Sequence, residues 1–163
     1  MEFSEAVVSD HQLARLLQIG IVLEEVVEAR AEQHLETLEV ETAHPAMIAL
    51  LEDAAAESHE HRDQLAKLVK QLDAESTGYA EIETLVRERY ARTKPDDFDD
   101  LLYDQLCNEE TAYKFYDDLI EAIEASDAIF SIDRDALLSV LRTIREEEAE
   151  GVEDVARLME ELP

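Results

Sequence analysis

Apolar residues recur along the chain at alternating steps of four and three, the period of one buried helical face. From Met47 the series runs Met47, Leu51, Ala54, Ser58, His61, Leu65, Leu68 and Leu72. A second series runs Phe98, Leu102, Gln105, Glu109, Ala112, Tyr116, Leu119 and Ile123, and a third Leu137, Leu141, Ile144, Glu148, Gly151, Val155, Leu158 and Leu162. Nearer the N-terminus, Leu17, Ile21, Glu24, Glu28, Ala31, Leu35 and Leu38 give a fourth. In that segment "LLQIGIVLEEVV" is apolar on more than one side, so its register is less sharply set. The additional apolar positions Leu16, Ile19, Leu23 and Val26 call for a cover, from a later segment of the chain or from a second copy.

Start and stop signals turn these series into helices. Ser9 or Asp10 caps a helix expected over 10–42, and Pro45 sits at a favourable first position for a helix over 45–73. A longer connection containing "ESTG" carries a short amphipathic helix over 79–92, and "KPDD" announces the next over 97–125. After "SDAIFSID" the last helix spans 134–161. Three glycines and three prolines are too few for a chain of short strands and turns, so the class is all-α in a single domain over 1–163. Short, long and short connections suit two helical hairpins joined by a crossover, the ferritin-like arrangement of a four-helix bundle.

The stripes are interrupted at similar depth by polar residues: Glu24 and Glu28, Ser58 and His61, Gln105 and Glu109, and Glu148. Buried carboxylates are costly unless paired, protonated or bound to metal. Oxygen and imidazole donors together suit iron, manganese or zinc. The motifs around these positions resemble those of the ferritin-like di-iron carboxylate proteins, and of rubrerythrins among them, whose bundles supply one Glu from each of two helices and a Glu-x-x-His pair from each of the others. "EETAYKFYDDL", with Glu109, Ala112 and Tyr116, is similar to the family's glutamate helix, and Glu28 with Ala31 and Leu35 is a weaker copy. "SHEHRDQL" is similar to the Glu-x-x-His helix but has Ser58 where the glutamate stands; "EEEAEGVEDV" has Glu148 in place and Gly151 where the histidine stands.

The resemblance therefore implies an incomplete ligand set of Glu28, His61, Glu109 and Glu148, with Glu24 and Glu57 as substitutes, and one iron or none in preference to an intact pair. It further implies an oxidoreductase, reducing peroxide or oxidising ferrous iron, if iron is held. Without a short Cys-x-x-Cys domain, a peroxidase would need an external electron donor. The alternative is a metal-free structural or interaction protein on the same bundle, with His61 and Glu148 as a buried ion pair.

Composition changes the picture at the surface. Forty-two acidic and fourteen basic residues give a formal charge of −28. Such a coat repels nucleic-acid phosphates and anionic lipid, and in its spread over all helices it resembles proteins of extreme halophiles. Glu146, Glu147, Glu150 and Glu153 read as part of that coat, and His11, His34, His44 and His59 as peripheral. The single cysteine, Cys107, excludes an internal disulfide. With no apolar run of membrane length and an acidic start, a cytoplasmic protein is expected, as a homodimer if the spare apolar side of the first helix is an interface.

Overall fold

Ser9, Pro45 and Asp133 open three of the helices. In the computed structural model, which describes residues 7–38, 43–74, 80, 81, 84 and 101–162, the Ser9 hydroxyl accepts from Gln12 N at 3.2 Å. His44 Nδ1 accepts from Ala46 N at 3.1 Å, with Pro45 filling the first helical position. The Asp133 carboxylate accepts from Ala136 N at 3.0 Å. Among the described residues four long helices follow: α1 (Asp10–Thr37), α2 (Pro45–Lys70), α3 (Leu101–Glu124) and α4 (Arg134–Glu161). The described residues contain no strand and form an all-α bundle. None of these helices is long and apolar enough to cross a membrane. The expected short helix over 79–92, apart from 80, 81 and 84, lies outside the described residues, as do residues 39–42 and 97–100 at helix ends.

Side-chain contacts fix the directions. Arg30, late in α1, reaches Asp104, early in α3, at 2.9 Å, while Glu24 meets Tyr116 further along, so α1 and α3 run antiparallel. At the other end Asp10 Oδ1 accepts from Ser131 N and Oδ2 from Asp73 N, tying the start of α1 to the end of α2 and to the α3–α4 loop. α2 and α4 are likewise antiparallel, with early α2 and late α4 sharing one cleft. α1 packs on α2 and α3, and α4 on α3 and α2.

The core is divided. A large apolar cluster fills the end holding the start of α1, around Leu13, Leu17, Leu65, Phe115, Leu119 and Leu141. A smaller one, Leu102, Val155 and Leu158 with Met47 and Leu50 against it, closes the other end. The polar positions lie between the two. The inward stripes of α2, α3 and α4 are buried as their spacing predicts except at Met47, Ala54, Gly151 and Leu162, which are partly buried, Phe98 lying outside the described residues. α1 differs. Its buried line is Leu13, Leu17, Gly20, Glu24, Val27 and Ala31, so Gly20 and Val27 replace the expected Ile21 and Glu28. Both lines use steps of three and four, and packing decides between them: a Cβ on Gly20 would lie 3.0 Å from Phe115 Cε1 and 3.1 Å from Leu65 Cδ1. Ile19 and Leu23, on the spare apolar side, are buried within the single chain.

Gly20→Val should therefore overpack the large cluster and lower stability by about 1–3 kcal/mol in urea unfolding. A variant as stable as the parent would show that α1 does not approach Phe115 and Leu65 as closely as described.

Candidate metal centre

Four polar side chains from four helices meet in the layer between the apolar clusters. Glu24 comes from α1, His61 from α2, Glu109 from α3 and Glu148 from α4, and none is more than 5% exposed. His61 Nδ1 lies 3.1 Å from Glu148 Oε1 and 3.3 Å from Glu24 Oε1. One donor atom from each of Glu24, His61 and Glu148 falls within 4.8 Å of the others. Neighbouring donors on a tetrahedral or octahedral ion with bonds of about 2.1 Å lie about 3.0–3.4 Å apart, so this spacing already matches a coordination edge.

The surroundings hold these groups in place. The Tyr116 hydroxyl, fully buried, donates to Glu24 Oε1 at 2.5 Å. Gln105 Nε2 donates to Glu109 Oε1 at 3.0 Å. Glu148 is surrounded by His61, which it meets at 3.1 Å, and by the carboxyls of Glu109 and Glu24, which both push its own carboxyl up. Two acceptors in the layer, Glu24 Oε2 and Gln105 Oε1, are buried without a hydrogen-bond partner. An orphaned carboxylate oxygen in a dry interior is costly, and a cation is one group able to satisfy it.

Charge follows from burial. Burial raises the Glu148 carboxyl well above its ordinary range, and the charges of Glu24 and Glu109 push it the same way. Burial likewise raises Glu109, against the hydrogen bond from Glu148. For His61 burial acts downward, but hydrogen bonds and charge from Glu24, Glu147 and Glu57 overcome it and lift the imidazole to about 9. Without a cation these surroundings favour the imidazolium at His61 and the protonated carboxyl at Glu109 and Glu148. Burial raises Tyr116 too, keeping its hydroxyl protonated as the donor to Glu24.

The residues picked out from sequence divide accordingly. His61, Glu109 and Glu148 meet, and Glu24, expected only as a substitute, occupies the α1 place. Glu28 does not join them. It pairs with Arg62 at 2.6 Å and lies 3.4 Å from His59 on the outer side of α1 and α2, because the α1 stripe passes through Val27 instead. Glu57 is partly buried beside the outer edge of His61, where burial and neighbouring carboxylates raise it to about 7. Glu147 was expected in the solvated coat, yet its Oε2 sits 2.6 Å from His61 Nε2. The stripe pattern had no means to find it, since a residue beside an inward one points about 100° away. His34, expected at the periphery, is partly buried and bonds Asp104 at 2.7 Å.

Gly151 also finds an explanation here. A Cβ at this position would lie 2.7 Å from Glu109 Oε2. The bare backbone of α4 gives the Glu109 carboxylate room, at a helix-propensity cost of about 1 kcal/mol relative to alanine.

The shifted groups make stability depend on pH. Glu57 and Glu148 have folded values above the ordinary 4.5, so their contributions are complete below that value and decline as pH rises, through about 7 for Glu57. The His61 contribution is complete below 6.5 and is lost as pH rises through about 9. Chelator-treated protein should lose stability in urea between about pH 5 and about pH 9 at constant high salt, and Glu148→Gln should flatten the loss. An unchanged slope in that variant would mean Glu148 does not titrate inside the bundle. Comparison of the chain with protein-family models, curated proteins and solved structures found no match.

Proposed function

We propose that the chain is a metal-binding bundle of the ferritin-like kind, similar to rubrerythrins, holding one transition-metal ion with Glu24, His61 and Glu148 and with Glu109 beside them. The convergence of His61 Nδ1 with two carboxylate oxygens from two other helices, at 3.1 and 3.3 Å, carries this reading. The orphaned Glu24 Oε2 supports it. The helix directions support the ferritin-like arrangement: α2 and α3 both run against α1, so Lys70 and Leu101 belong to opposite ends of the bundle and residues 71–100 would make a crossover.

A mixed nitrogen and oxygen set suits iron, manganese or zinc, and iron is the ion the family resemblance favours. A single ion fits better than a pair, because Ser58 and Gly151 stand where the family's other ligands would be. A bound iron would supply redox chemistry, either reducing peroxide with electrons from an external donor or passing electrons from ferrous iron to an oxidant. The chain's own share is plain: Tyr116 orients Glu24, Gln105 orients Glu109, and the apolar clusters close the layer at either end of the bundle.

One observation favours a metal-free structural role instead. His61 is already bonded through both nitrogens, to Glu148 and to Glu147, which satisfies the imidazolium without a cation.

Elemental analysis after anaerobic reconstitution and dialysis separates the two. The parent should retain about one ion per chain, while His61→Ala and Glu148→Gln should each lose about 10–100-fold in affinity or more, the range seen when even an outer partner of a metal ligand is removed. Binding should release protons, because His61 and Glu148 must both give them up. Ser58→Glu combined with Gly151→His should move the stoichiometry towards two. No retained ion in the parent would replace this reading with the metal-free one.

A further inference from the structure

His61 turns only one ring nitrogen towards the buried centre. The other, Nε2, faces outward 2.6 Å from Glu147 Oε2, and with Glu57 these residues bring a second set of three donor atoms within 4.8 Å of one another. His61 is fully buried, whereas the Glu147 side chain is 36% exposed, so the set spans the boundary between interior and solvent. Glu57 also lines a cleft of about 320 Å³ between α2 and α4, together with Ala54, Glu109, Gly151 and Asp154. That volume has room for several waters. The cleft extends to the Glu109 carboxylate, which lies against the bare backbone of Gly151.

We propose that Glu57, Glu147 and Nε2 of His61 form an outer site for a divalent transition-metal cation, and that the buried centre is loaded through it. The proposal rests on the reading of the buried centre as a metal site. A neutral imidazole has one lone pair, carried by either nitrogen, while the other nitrogen bears a proton. With a cation on Nε2, the Nδ1 proton is donated inward to Glu148 or Glu24. With a cation on Nδ1, the Nε2 proton is donated outward to Glu147. Each carboxylate set thus orients the ring while the other set binds, the arrangement by which outer partners fix a ligating histidine.

Two consequences follow. The sites exclude one another, so the total remains one ion per chain. Transfer inward needs an exchange of the ring proton and passage of the ion from the outer edge of the buried imidazole to its inner edge. Asp53 and Glu161 line the cleft together with Asp154, which pairs with Arg157 at 3.4 Å, so its lining is net acidic and concentrates cations, as such a surface does for an oppositely charged ligand.

Stopped-flow absorption with Co²⁺ added to chelator-treated full-length protein tests the proposal. The parent should load in two phases and finish at one ion per chain. Glu57→Gln with Glu147→Gln should lose the rapid phase and reach the same end point ~10-fold more slowly, at the low end of electrostatic effects on association. Glu148→Gln should keep the rapid phase and lose the slow one. Glu57→Gln alone, at a partly exposed position, gives an intermediate rate and serves if the double variant fails to fold. Loading of a folded Glu57→Gln or double variant at the parent rate overturns the outer site and leaves the buried centre standing, as does a parent that holds two ions at once. A parent that takes up no Co²⁺ overturns both.

Discussion

The arrangement depends on one constraint: ionisable groups from all four helices are held in the dry middle of a bundle. Removing a carboxylate or an imidazolium from water costs several kcal/mol per ion even after relaxation. An apolar layer at Glu24, His61, Glu109 and Glu148 would avoid that cost. Instead the protein divides its core into two apolar clusters and sets the polar layer between them. Partners offset part of the cost, through Tyr116 on Glu24, Gln105 on Glu109 and Glu147 on His61. They leave Glu24 Oε2 and Gln105 Oε1 unsatisfied. A cation in the layer would take up the remaining acceptor capacity and relieve repulsion among three carboxylates.

Glycine takes part in the same constraint at two heights. Gly20 lets α1 approach Phe115 and Leu65 beside the large cluster, and Gly151 lets the Glu109 carboxylate rest against α4. Neither adopts a backbone conformation reserved for glycine, since no glycine among the described residues has positive φ. Both are there for space. The consequence at Gly151 is chemical, because the room that a longer side chain would fill belongs to a cleft reaching a buried carboxylate.

Much of this was legible in the sequence where polar residues interrupted a clean stripe. On α2, α3 and α4 the steps of four and three set the buried face, and His61, Glu109 and Glu148 followed from it. On α1 the run around Ile19 to Val27 is apolar on several sides, so the register read through Ile21 and Glu28 was less sharply set. The bulk of Phe115 and Leu65 selects the line through Gly20 and Val27, which keeps Glu24 inward and leaves Glu28 to Arg62. Glu147 escaped because a stripe describes one face, while an imidazole has two ends. The crossover between α2 and α3 was expected from loop length, and most of the residues that join these two helices lie outside the described ones.

Crystals grown with Mn²⁺ or Co²⁺ and measured at the metal's absorption edge test the central claim most directly. An anomalous peak within bonding distance of Glu24, His61 Nδ1 and Glu148 is the expected result. A well-ordered bundle with Glu148 and His61 paired as an ion pair, and no peak in the layer between the apolar clusters, would contradict it.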